Sequence, residues 1–230
     1  MAGNLRALMA EFLGTFAWVF LAAGVVCSDA SLGGTIGPTG IALGVGLTVA
    51  GVFAIFGSVA RGQFNPALTL GLVATRRLDI VQGVMCLVSQ LLGAALAGLF
   101  LAKAFSHAPI IAESPFLGVP MPEGVGYRGA SLLEAVATMM LAMAVYTPGA
   151  SEQSDHPSTL LPAIAAGAIA AAATLVIGPL TGAALNPVRA FGPALATGYW
   201  HQHYIYWAGP LAGGAAGMGI SRLLFEHQKI

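Results

Sequence analysis

The chain has 230 residues, 57% hydrophobic and 8% charged, with a formal net charge of zero and a mean hydropathy of +0.83. Soluble domains carry about 25% charged residues, so this composition excludes an ordinary globular protein and implies one built for a bilayer. Nucleic acid is excluded as a partner, because there is neither net positive charge nor a basic run.

A spanning helix needs about 20 mostly apolar residues. The first such window covers residues 8–27. Glu11 interrupts its apolar run and no small-residue cleavage site follows, so it reads as a retained helix rather than a signal peptide. A short Gly-rich loop over 29–38 leads to the second window, 39–59. Residues 64–74 are apolar but only half the length needed to cross, and they open on Asn65-Pro66-Ala67. The third window is 81–103.

The longest separator, 106–128, carries Pro109, Pro115, Pro120 and Pro122, spaced too closely for a helix, and reads as a surface connection between two halves. The fourth and fifth windows, 130–147 and 159–177, flank a polar loop over 148–157. A second half-length segment, 185–197, opens on Asn186-Pro187-Val188, and the sixth window is 204–224. Near its start His201 and His203 stand among Trp200, Tyr204, Tyr206 and Trp207, which reads as an interfacial aromatic belt. A pH gate there and regulation or metal binding at His156 are weaker alternatives, since no second ligand is spaced to help His156.

The two Asn-Pro segments have the grammar of helix starts: Asn is a preferred N-cap, and Pro is favoured at the first helical position. Helix starts expose unpaired N–H donors and partial positive charge. Two of them within a membrane would make a polar, cation-repelling point suited to a pore for neutral solutes. Asn65 and Asn186 would each offer an amide to a passing oxygen, with loop carbonyls forming a ladder of acceptors on one wall.

Lys and Arg accumulate on the cytoplasmic side of membranes. With both termini inside, Arg6, Arg61, Arg76, Arg77, Arg222 and Lys229 face the cytoplasm and only Lys103 and Arg128 face outward. The loop at 148–157 fits less well, carrying Glu152 and Asp155 and no basic residue. Cys27 and Cys86 fall near opposite faces of the membrane, which argues against a disulfide.

An internal repeat underlies this order. Glu11-Phe-Leu-Gly-Thr15 matches Glu134-Ala-Val-Ala-Thr138, and Gln90-Leu-Leu-Gly93 matches Pro210-Leu-Ala-Gly213. The copies cover about 7–103 and 130–225 of one domain spanning 1–230. Each copy crosses the membrane three times, so the second lies upside down, an arrangement that puts discontinuous helices face to face near the midplane. The fold class is therefore an all-α membrane protein with six transmembrane helices and two re-entrant half-helices in an inverted repeat. Intramembrane acids are costly, so Glu11 and Glu134 should accept hydrogen bonds from the unpaired N–H groups of the two loops. Gly40 and Gly44, like Gly209, Gly213 and Gly217, add small-residue spacing for close helix packing.

These features resemble the major intrinsic protein family, the aquaporins and glycerol facilitators. The likeness runs from Glu11 to Gly217 and rests on Gly62-Gln-Phe-Asn-Pro-Ala67, Asn186-Pro-Val-Arg189 and the paired acids. It implies a homotetramer with a pore in each subunit, passing water and small neutral solutes, with membrane lipid around it and no cofactor or metal. The family's narrowest point carries over by spacing to Val45, Thr174, Ala183 and Arg189. Water-selective members have Phe and His at the first two positions, and glycerol facilitators have Trp, Gly and Phe at the first three; this chain has neither pattern, and Ala190 stands where glycerol facilitators have Asp.

A filter this small resembles that of the metalloid-permeable bacterial branch, which passes uncharged hydroxy acids such as arsenite and boric acid. It implies a broad neutral-solute channel in a bacterial inner membrane, with a water-selective channel as the alternative. Val188, bulkier than the family's usual Ala, is expected to press on the junction of the half-helices. A coupled transporter, a junctional protein and an enzyme are the competing classes. The clearest acids serve better as loop supports than as proton relays, and no nucleophile, base or metal-ligand set falls in the apolar core.

Overall fold

A computed structural model describes residues 2–60, 63–106, 118–146 and 160–225. Arg61, Pro109, Pro115, Lys229 and the loop 148–157 with Glu152, Asp155 and His156 lie outside the described residues. Eight helices and no strands occur among the described residues: α1 (Ala2–Ser31), α2 (Gly37–Phe56), α3 (Pro66–Ala74), α4 (Ile80–Ala104), α5 (Tyr127–Val145), α6 (Leu160–Thr181), α7 (Pro187–Thr197) and α8 (Ile205–Phe225). Helices α1, α2, α4, α5 and α6 are long and apolar enough to cross a membrane. With 21 residues α8 has the same reach. It is less hydropathic because Gly209, Gly213, Gly214, Gly217 and Gly219 occupy so much of it. The chain is thus an all-α membrane protein of six spanning helices and two half-helices.

The inverted repeat is visible in the packing. Helix α1 lies along α4 and α5 along α8, while half-helix α3 packs on α8 and half-helix α7 on α4, so each half-helix leans on the last helix of the opposite copy. Glycines make these seams possible. A Cβ on Gly209, Gly213 or Gly217 would run into the carbonyls of Ser131, Ala135 and Met139, one α5 turn after another, and Gly93 stands in the same way against Phe12 of α1. Gly44 packs on Val25, but the neighbour of Gly40 is Ile36 of its own helix start, so Gly40 makes no such helix-to-helix seam; Gly46 and Gly167 form the α2–α6 crossing instead.

Two boundaries differ from the sequence expectation. Helix α1 continues to Ser31, and the Asp29 carboxylate then accepts from the Gly37 N–H at 2.8 Å, closing a tight turn into α2. Helix α6 runs through Pro179 to Thr181, because a proline in the last turn removes one N–H bond without ending the helix. The end of the long connection differs more. Residues 118–120 fold inward, while Met121, Glu123, Gly124 and Gly126 stay exposed as in a surface connection: Val119 is buried, the Glu123 N–H donates to the Leu180 carbonyl at 2.9 Å, and Pro120 packs on Gly182. The last carbonyls of α6 are unsatisfied acceptors, and this segment supplies a donor to one of them. Cys27 and Cys86 are both buried, with no disulfide between them.

Candidate functional site at two facing helix starts

Asn65 and Asn186 are the N-caps of α3 and α7, with nearly identical extended backbones at φ/ψ of −149/117° and −150/115°. Each side-chain oxygen accepts from the N–H two residues on, at 2.9 Å from Ala67 and 3.1 Å from Val188. Each amide nitrogen donates across to the other loop: Asn65 Nδ2 to the Leu185 carbonyl at 3.0 Å, and Asn186 Nδ2 to the Phe64 carbonyl at 3.1 Å. A side-chain amide has two N–H groups. One is therefore spent tying the halves together, and each amide keeps a second N–H.

The loops leading into these caps are strained. Gln63 and Phe64 have φ of 66° and 58°, and Ala183 and Leu185 have 46° and 53°. Left-handed geometry costs L-residues roughly 1–2 kcal/mol each, so both loops need firm anchors. The buried acids provide them. Glu11 accepts from the Gln63 and Phe64 N–H groups, both at 2.9 Å, and Glu134 from those of Ala184 and Leu185 at 2.9 and 2.8 Å. Each carboxylate has one further donor, Gln90 Nε2 at 2.7 Å on Glu11 and Thr181 Oγ1 at 2.7 Å on Glu134. The two copies reach the same result with different side chains, since Pro210 stands where Gln90 would recur.

Several residues were given no part in this network by the sequence reading. Gln90 also donates to Thr69 Oγ1 at 2.8 Å, and Thr69 donates to the Asn65 carbonyl at 3.0 Å. Thr181 Oγ1 accepts from the Ala183 N–H at 3.1 Å, and the Tyr206 hydroxyl donates to the Thr181 carbonyl at 2.8 Å. The available signal was a buried Gln in an otherwise apolar helix; nothing comparable marked Thr181.

Val45, Thr174, Ala183 and Arg189 are all buried side chains. The first two lie on neighbouring helices, and Ala183 shares a core cluster with Val45. The Arg189 guanidinium donates to the Gly118 carbonyl, so the inward end of the long connection orients it. Thr174 turns its hydroxyl back to the Ala170 carbonyl at 2.8 Å. No donor reaches the carbonyls of Ala183 and Ala184 among the described residues. Buried carbonyls need partners.

Two expectations are corrected. Val188 packs with Val19, Ala94 and Ala97, so its extra methyl groups are taken up against α1 and α4 rather than at the junction. Tyr206 is no part of a surface belt: it is 1% exposed, whereas Trp200 and Tyr204 are 43% and 56% exposed. His203 lies between the Trp200 ring at 4.8 Å and the Tyr206 ring at 6.4 Å, and burial pushes its imidazole below the ordinary range.

The family model described as "Major intrinsic protein" matches residues 1–220. The chain belongs to the major intrinsic protein family. Aquaporin TIP4-4 of Zea mays is 38% identical, with 93% of this chain and 84% of the relative covered. Aquaporin TIP2-1 of Arabidopsis thaliana is 33% identical over 97% of this chain and 87% of its own length. An aquaglyceroporin from Plasmodium falciparum has the same fold, with a TM-score of 0.79, 22% identity, and 98% and 96% of the two chains covered. This major intrinsic protein is accordingly an integral membrane channel and not an enzyme. The two named sequence relatives are plant proteins, which leaves the expected bacterial inner membrane and the likeness to a metalloid-permeable bacterial branch without support.

Proposed function

We propose that this channel is a passive pore for water and small uncharged solutes, including glycerol-like molecules and metalloid hydroxy acids, and that it excludes protons and ions. In this reading Val45, Thr174, Ala183 and Arg189 line its narrowest point, and Asn65 and Asn186 with their Pro-Ala and Pro-Val neighbours form the midplane site. The observation that carries it is the chemistry around Arg189. None of the other three side chains has a ring, and the Thr174 hydroxyl proton is committed to its own helix. The constriction therefore combines width with a guanidinium donor fork and the two carbonyls of Ala183 and Ala184. A solute bearing several hydroxyls can donate to the carbonyls and accept from the guanidinium at once. Weak contacts elsewhere on the wall let it leave quickly.

The same reading takes one pore per subunit of a homotetramer, both termini on the cytoplasmic side, and a single domain made of the two copies. Arg222 donates to the Thr75 carbonyl at the end of α3, so it shares one end of the molecule with Arg76 and Arg77, as termini-inside requires.

The deciding experiment is stopped-flow light scattering on proteoliposomes challenged with an impermeant osmolyte, glycerol, or neutral arsenite or boric acid. Entry of the larger solutes well above protein-free vesicles is expected. Movement of water alone would instead favour the water-selective reading, towards which the aquaporin names of the relatives point.

A further inference from the structure

We infer that Tyr206, through Thr181, is the positioning residue that sets the acceptor geometry at Ala183, and with it the preference of the pore for polyhydroxy solutes over water. The inference rests on the reading of Ala183 as a lining position.

Helix α6 ends at Thr181, and its last carbonyls have no intrahelical donor. The chain then makes a turn in which Gly182, Ala183 and Leu185 all have positive φ, at 80°, 46° and 53°. Glycine adopts that geometry freely, but Ala and Leu do not. Without anchors Ala183 would relax to negative φ, which swings its carbonyl away from its present direction.

The far side of this turn is anchored by Glu134, which accepts from Ala184 and Leu185. The near side has a different anchor. Thr181 is wholly buried, its hydroxyl reaches Glu134 Oε1 at 2.7 Å, and the same oxygen accepts from the Ala183 N–H at 3.1 Å. Its carbonyl receives the Tyr206 hydroxyl at 2.8 Å. Tyr206 is therefore the one described donor from α8 that holds the residue on which Ala183 turns. Its ring is 1% exposed, packed with Ala184, Ala190 and Ile205, so the hydroxyl has a fixed origin.

Removing that hydroxyl orphans a buried carbonyl at the hinge of a strained turn, and the turn has reason to move. Water presents one oxygen and tolerates a displaced acceptor. Glycerol needs successive acceptors in register and does not.

The test compares glycerol and water permeability of the full-length channel in proteoliposomes, for the parent, Tyr206→Phe and Tyr204→Phe. Tyr206→Phe is expected to lower the glycerol-to-water ratio about fivefold, the size of effect that one buried hydrogen bond carries. Tyr204→Phe, at an exposed ring, should leave the ratio unchanged. An unchanged ratio in Tyr206→Phe, or parallel loss of both fluxes, overturns the inference. Should Tyr206→Phe fail to insert, Tyr206→Leu carries the same expectation, because it also deletes the hydroxyl that donates to the Thr181 carbonyl. Ala183→Trp in the parent separates the two claims. Glycerol flux surviving that substitution would refute Ala183 as a lining residue, whereas its loss beside an unchanged Tyr206→Phe ratio would refute only the role of Tyr206.

Discussion

His203 shows how one side chain can link pH to stability without touching the pore. Its imidazole lies between the Trp200 and Tyr206 rings, its Nε2 is buried with no hydrogen-bond partner, and burial holds its pKa below the ordinary 6.5. The unfolded chain then binds a proton that the folded chain refuses, so stability rises with pH across this window. It is complete above about pH 6.5 and falls as pH descends towards the folded value. Thermal unfolding in detergent should accordingly be flat from about pH 8 to 7 and shift downward towards pH 5, with His203→Phe abolishing the slope. An equal slope in His203→Phe would assign the effect to another group. At this scale the acids were legible, because a lone carboxylate in an apolar helix demands donors and the adjacent loops are the source of unpaired N–H groups. Gln90, Thr181 and Tyr206 were not, because each acts on a partner that only tertiary packing brings near: Gln90 reaches back 79 positions to Glu11.

The seam between α5 and α8 was legible in sequence because small residues recur every four positions along one face of α8. Gly209, Gly213 and Gly217 form such a face, and each meets a backbone carbonyl of α5. The three nearest atoms to a Cβ at Gly213 are all backbone atoms of Ala135, and backbone cannot rotate away. Gly213→Val should therefore force α5 and α8 apart and abolish the monodisperse peak in detergent size-exclusion chromatography. Gly219→Ala, with nothing within 4 Å, should elute as the parent does. A folded Gly213→Val would mean that the seam yields more than close packing allows. The same spacing misled at Gly40, because spacing alone does not say which neighbour a helix start will meet. The end of the long connection misled for a related reason. Pro120 and Pro122 rule out a helix correctly, but they carry no information about burial, and the contacts of Gly118 with Arg189 and of Glu123 with the open end of α6 are invisible until the two copies are assembled.

For the whole molecule, the two copies oppose the starts of α3 and α7 at one level, joined by the reciprocal Asn65 and Asn186 bonds. Each helix start carries about half a positive charge, and Arg189 adds a full one in the first turn of α7. On the proposed reading, ion exclusion is then a property of the architecture more than of one side chain. Arg189→Val removes the guanidinium but leaves both helix starts, both acids and both caps in place. It should raise glycerol flux by widening the constriction, while potassium conductance in planar bilayers stays at the background of protein-free membranes. Appreciable potassium current in Arg189→Val would put the whole barrier on the guanidinium. If current instead appears only after Asn65→Asp and Asn186→Asp are added, the barrier belongs to the facing helix starts, because carboxylates there cancel the positive ends that both copies present to the lumen.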